Sequence, residues 1–190
     1  MLLLMMIFFI FPTNFAVIAG SPRWGLSTGL IAVIMVGLYV VAFFVGMVFG
    51  GVMGRFRRSV KYFAPLFFLL GYAAYLLPGL LVLVLGSAFI GMANGVGVPY
   101  LNTFASIKGG KNSATTVMPL LSAALYLGQF VSPIVVTPAS RMLFGPSDLT
   151  GPYKVGILLC LVFLVQVYFT RHFQSLPPAK GPSGEALSRE

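Results

Sequence analysis

The chain has 190 residues, 58% of them hydrophobic and only 8% charged, with 12 Lys and Arg against 3 acids and a net charge of +9. A soluble domain carries roughly a quarter of charged residues, and a fold of this size has too little polar surface to cover so apolar a chain. Composition therefore excludes a water-soluble globule and makes lipid the solvent; nor does the sequence hold the basic, aromatic polar surface that nucleic-acid binding uses.

A helical crossing needs about 20 mostly apolar residues, and the charges divide the chain into such runs. The first covers 2–20 and holds Pro12 beside Asn14. Val17-Ile18-Ala19 before Gly20 has the form of a signal-peptide cleavage site, but no positive n-region precedes the run, so it reads as a mature helix. The second run, 26–53, lies between Arg23 and Arg55 and carries Tyr39. Gly46, Gly50 and Gly54 recur on one face of this helix at the spacing that lets two backbones approach closely. The segment Gly50-Gly51-Val52-Met53-Gly54-Arg55-Phe56-Arg57-Arg58-Ser59-Val60-Lys61 follows, with four cations in its last seven residues.

From Lys61 to Lys108 the uncharged stretch is too long for one crossing at about 1.5 Å per residue. Leu77-Pro78-Gly79 is the turn signal that divides it into helices at 62–77 and 79–106. The second of these carries Asn94, Tyr100, Asn102 and a further close-packing pair, Gly91 and Gly95. A fifth helix at 114–140 contains Pro119, Pro133 and Pro138 with Tyr126 and Gln129, and a sixth covers 153–171. Residues 175–190 turn to Pro, Gly, Ser, Lys and Glu, the composition of a disordered tail.

Six crossings put both termini on one side. With the termini cytoplasmic, the cytoplasmic segments hold Arg55, Arg57, Arg58, Lys61, Lys108, Lys111, Arg171, Lys180 and Arg189, and the outer ones only Arg23, Arg141 and Lys154. That bias orients the protein by the positive-inside rule, and the basic clusters suit anionic headgroups. The expected location is a multi-pass protein of the plasma (inner) membrane with a cytoplasmic tail. Asp148 falls in an outer loop beside no obvious partner.

Asp148, Glu185 and Glu190 all lie outside the apolar runs, and no Lys or Arg lies mid-run. Proton relays, metal cages and salt-bridge switches in membranes need such groups. A buried Ser-His protease pair is not expected either, because His172 lies at the edge of the last run. No catalytic residue, metal ligand or cofactor is expected, and Cys160, alone, forms no intrachain disulfide. Ile107–Ser113 lacks the Ser/Thr of a phosphate loop, and Gly91–Gly97 lacks the strand that dinucleotide binding requires. Neutral polar groups remain: Asn14, Tyr39, Asn94, Asn102, Tyr126 and Gln129. Each has two readings, an interhelical hydrogen bond or part of a pocket for an uncharged or amphipathic solute.

Several of these residues resemble the C-terminal six-helix half of the major facilitator superfamily. Phe11-Pro12-Thr13-Asn14-Phe15 resembles the Pro-Thr-Asn/Gln segment in the first helix of that half in sugar- and drug-efflux members. Gly50 to Arg58 resembles the signature Gly-x-x-x-Asp-Arg-x-Gly-Arg-Arg. Gly50 and Arg55 match it, Gly54 stands at the Asp, one position is lost with the second Gly, and Arg57 and Arg58 supply the closing basic pair. The Gly- and Asn-rich fourth helix and proline-broken fifth resemble the family's tenth and eleventh.

The resemblance implies an all-α membrane fold of two inverted three-helix repeats, half of an alternating-access transporter. It implies a small organic solute or drug moved by proton-coupled efflux when complete, with the coupling carboxylate in the other half. Asn14, Tyr39, Asn94, Asn102, Tyr126 and Gln129 would line the solute cavity. Gly50, Gly54, Arg55, Arg57 and Arg58 would form the cytoplasmic gate, which lacks the Asp of a charge relay, and Gly46, Gly91 and Gly95 would pack helices. The second and fifth helices would present faces to an N-terminal six-helix half, here a separate chain. The rival expectations are a non-transporting interaction or regulatory subunit docking through the glycine face, and an inactive truncated fragment.

Overall fold

A computed structural model describes residues 1–56, 59–110 and 113–169. Arg57, Arg58, Lys111 and the tail at 175–190 lie outside the described residues. The protein is all-helical: α1 Leu2–Ala19, α2 Thr28–Phe56, α3 Val60–Ala74, α4 Leu80–Gly109, α5 Met118–Phe144 and α6 Gly151–Phe169. A π-helical turn at Ser113–Val117 leads into α5. No strand occurs among the described residues. All but α3, which has 15 residues, are long and apolar enough to cross a bilayer, the architecture of a multi-pass membrane protein.

Helices are what such a sequence must form, because backbone N–H and C=O groups in hydrocarbon have no water to bond and must be satisfied within the segment. The exceptions are local. Pro78 and Gly79 (φ 125°) end the α3 arm and start α4, and Gly145 (φ 88°) ends α5; these left-handed positions favour glycine. Inside α1, Pro12 removes one helical N–H. The Thr13 hydroxyl donates to the Phe9 carbonyl (2.6 Å) and the Asn14 amide to that of Ile10 (2.8 Å), so side chains take up part of the local bonding.

Consecutive helices run in opposite directions. At one end, the Arg23 guanidinium reaches the Leu76 carbonyl (3.4 Å), joining the α1–α2 loop to the end of the α3 arm. Ser21 and Trp24 share a cavity there with Asp148 and Thr150 of the α5–α6 loop. At the other end Leu4 of α1, Lys61 of α3, Leu101 of α4 and Val167 of α6 meet around a second cavity. Laterally, α4 lies between α2 and α3, α1 lies along α5, and α6 closes the bundle against α3 and α5.

Two parallel pairs use one packing device. A Cβ added at Gly91 or Gly95 of α4 would lie 2.5 Å from the carbonyl oxygens of Leu38 and Ala42 in α2. One added at Gly128 of α5 would lie 2.5 Å from the Leu2 carbonyl of α1. One turn further on, the Ser132 hydroxyl donates to the Met6 carbonyl (2.8 Å). In both pairs, small residues four apart lie over carbonyls four apart, which is how membrane helices gain close van der Waals packing. The face expected from Gly46, Gly50 and Gly54 is different. Gly46 makes only ordinary contact with the Gly95 carbonyl, and Gly50 and Gly54 have nothing within 4 Å of an added Cβ.

The centre is aromatic. Tyr75 stacks on Tyr153 (ring centroids 4.7 Å) and on Phe11 (5.8 Å), and Tyr72 stacks on Tyr153 (5.7 Å). Two of these tyrosine hydroxyls bond across helices. Tyr72 donates to the Ile7 carbonyl, and the Tyr75 and Ser87 hydroxyls share a 2.7 Å bond. Removing single bonds should cost little, because such bonds in membranes average about 0.6 kcal/mol with a maximum near ~1.7. Ser132→Ala and Tyr72→Phe should each fall in that range in detergent–SDS unfolding titrations. Tyr72→Ala should cost about 3–5 kcal/mol by emptying the aromatic core.

Candidate functional site

The six cavity candidates are spread over four helices, α1, α2, α4 and α5. Asn14 is half-buried on α1 and spends its amide on its own helix, donating to the Ile10 carbonyl and the Thr13 hydroxyl (2.9 Å). Tyr39 of α2 packs edge-on against Phe8 of α1 (centroids 6.3 Å), with much of its surface exposed. Asn102 and Tyr126 are exposed and Gln129 is half-buried. None of the six lines the cavities around Lys61 or Asp148.

Asn94 is the exception in its chemistry. It sits on α4 between Gly91 and Gly95, the residues that draw α4 onto α2, so it is carried to the edge of a close-packed helix seam. Its side-chain oxygen is buried and, among the described residues, accepts no hydrogen bond. A buried carbonyl-type acceptor without a donor is costly in hydrocarbon. Asn94 therefore carries a side-chain oxygen free to accept a hydrogen bond.

Of the resembled gate residues, Gly50, Gly54 and Arg55 lie in the last turns of α2 and are all exposed. Arg57 and Arg58 lie outside the described residues, and no gate contact is assigned to them. Gly91 and Gly95 pack helices, as their spacing suggests, whereas Gly46 does so only loosely.

The sequence leaves Asp148 without an obvious partner, and here the structure differs. Its carboxylate accepts from the Lys154 ammonium (2.6 Å) and from the Thr150 hydroxyl (2.7 Å) and backbone N–H (2.9 Å). Turn bonds from the Asp148 N–H to the Gly145 carbonyl and from the Gly151 N–H to the Asp148 carbonyl fold the loop so that residues six apart meet. Partial burial opposes the charge, but the bonds from Lys154 and Thr150 outweigh it and hold the carboxyl below its ordinary value. A depressed carboxyl contributes stability above its unfolded value, about 4, and loses it as pH falls through the folded one. Asp148→Asn should therefore remove an acid-side decline in melting temperature measured between neutral and strongly acidic pH. Because the pair is partly exposed, the effect should stay below about 1 kcal/mol.

Residues that sequence reasoning passed over include Lys61, buried in the first turn of α3, and the Tyr72–Tyr75–Tyr153 stack. Tyr72 and Tyr75 sit three apart, at the end of α3 and just past it, a helical spacing for a shared face. For Lys61 the run of cations masked the signal. Among the described residues no three His, Cys, Asp or Glu side chains come together in a way that holds a metal.

Comparison with known proteins finds no matching family model, no matching curated protein and no matching solved structure.

Proposed function

We propose that the chain is one half of an alternating-access transporter, similar to the C-terminal half of the major facilitator type, that moves a small organic solute. The observation that carries this reading is the pairing of helices. α1 lies along α5 and α2 along α4, each pair parallel, while α3 meets α6. Exchanging α1 with α4, α2 with α5 and α3 with α6 reproduces this pairing, as two inverted three-helix units would. The small residues lie on α4 in one pair and on α5 in the other, so the likeness is in pairing and not in sequence.

Two further observations support it. α2 and α5 are the least buried of the long helices and carry outward Phe43, Phe44, Met47, Tyr126 and Phe130. These are the faces on which a second six-helix half would lie. The orphan acceptor of Asn94 lies at the α2–α4 seam, where a solute donor in a midplane cavity would find it. The end of α2 bearing Arg55 faces the cytoplasm in this reading, with both termini, and the membrane is the plasma (inner) membrane. Proton coupling resides in the partner half, because the apolar helices contain no Asp or Glu.

Photo-crosslinkers placed at Phe43 and Phe130, with one at Val162 of α6 as the lipid-facing control, test the arrangement. A six-helix membrane chain captured from Phe43 and Phe130 but not from Val162, with solute flux in vesicles holding both chains, is the expected result. Equal capture at all three positions, or a captured partner without flux, favours the regulatory-subunit alternative.

A further inference from the structure

Lys61 is the second residue of α3, yet its side chain is only 6% exposed. Its ammonium has no hydrogen-bond partner among the described residues and lies 4.8 Å from the centroid of the neighbouring Tyr62 ring. A ring face attracts a cation but does not neutralise it. A buried ammonium is costly unless paired and hydrogen-bonded. The only acid among the described residues, Asp148, is at the opposite end of the bundle and is bound to Lys154. Among the described residues this charge, in a low-dielectric position, has no counter-ion.

The space beside it has a definite character. Lys61 lines a cavity of about 20 Å³ with Leu4 of α1, Ala64 of α3, Tyr100 and Leu101 of α4, and Phe163 and Val167 of α6. That volume admits one oxygen-sized group, and the walls around it are mostly apolar. The positive end of α3 adds to the potential there, since no acidic residue stands in its first turn. Arg55, exposed at the end of α2, lies six residues before Lys61. A free inorganic anion would leave the apolar walls unused and would bring its whole hydration shell to a space for one atom. An amphiphile with an anionic head uses both features, and the site lies at an end of the bundle, where headgroups are.

We infer that Lys61 anchors an anionic phospholipid, one headgroup phosphate oxygen bonding the ammonium while the acyl region lies against the apolar rim of α1, α3, α4 and α6. This rests on the membrane architecture alone and holds whether or not the chain transports a solute.

The test is native mass spectrometry of the full chain, released from vesicles of mixed phosphatidylglycerol and phosphatidylcholine. The wild type should retain one phosphatidylglycerol at least about fivefold in preference to phosphatidylcholine, the selectivity expected of one Lys at an anionic surface. K61M should lose that preference while K61R keeps it. K61Q gives the same readout should the methionine variant fold poorly, and unchanged circular dichroism certifies each variant. R55M should retain the preference, since its charge is exposed. Phosphatidylglycerol retention in K61M and K61Q equal to wild type, or an equal loss in R55M, overturns the proposal. Loss of the bound lipid to excess inorganic phosphate also overturns it, by making the site one for a free anion.

Discussion

Gly95→Val should disrupt the bundle, costing more than about 3 kcal/mol and leaving little folded protein in mild detergent. The smallest side chain, a single Cβ, would lie 2.5 Å from the Ala42 carbonyl oxygen and 2.9 Å from the Val45 Cβ. Neither neighbour can yield as a flexible side-chain end does, because one is backbone and the other is fixed to it. The response is to push α2 off α4, and α2 has few other attachments within the chain. Overpacking commonly costs about 1–3 kcal/mol even where neighbours can adjust. Gly54→Val supplies the contrast. It sits in open space on α2, and exposed substitutions away from special features usually stay within about 0.5 kcal/mol. Gly50→Ala should be neutral or gain up to about 1 kcal/mol, since glycine weakens a helix interior. Equal unfolding midpoints for Gly95→Val and Gly54→Val in an SDS titration would contradict the assignment of the α2–α4 seam.

The second large effect is expected at Asn94, and its signature is a split between stability and flux. A structural amide, bonded across helices, would destabilise the bundle when removed. An orphan acceptor behaves differently. Asn94→Leu takes away a buried unpaired oxygen and should leave stability unchanged or raise it by about 1 kcal/mol. In vesicles holding the chain and its transporting partner, the same variant should cut solute flux about tenfold or more, the loss of one hydrogen bond to a bound solute, about 1–3 kcal/mol. Asn94→Ala combined with Asn102→Ala should do the same without preventing insertion. Asn14→Ala serves as the control, because its amide already bonds Ile10 and Thr13 within α1. Parallel losses of stability and flux at Asn94 would return it to a packing role.

These residues show what a linear reading of a membrane chain reaches. The apolar runs between charges lie where the helices lie, because hydrocarbon forces each run to satisfy its own backbone and charges stay at the ends. The Leu77-Pro78-Gly79 turn was legible for the same reason, a proline followed by a glycine at positive φ. Which face of a helix is buried was not legible. α2 and α4 are apolar all round, so no amphipathic stripe separates lipid from neighbour. Hence Gly91 and Gly95 meet carbonyls while Gly50 and Gly54, with the same spacing, meet nothing. The polar candidates illustrate a further limit. Asn14 and Asn94 are the same residue type in apolar helices, yet one is closed on its own turn and the other leaves its buried oxygen without a donor among the described residues. Spacing along the chain does not distinguish them. Lys61 was hidden because a cation in a basic loop reads as a surface charge. Only the packing of α1, α4 and α6 over the start of α3 buries it.

The central claim is that this bundle forms half of a solute pathway, and flux tests it most directly. Vesicles holding the chain together with the partner captured through Phe43 and Phe130 would be loaded with small organic solutes and given a pH gradient. The account predicts solute movement that needs both chains, responds to the gradient and falls about tenfold or more in Asn94→Leu. Flux equal to that of protein-free vesicles, from a pair shown to be folded and inserted, would contradict it.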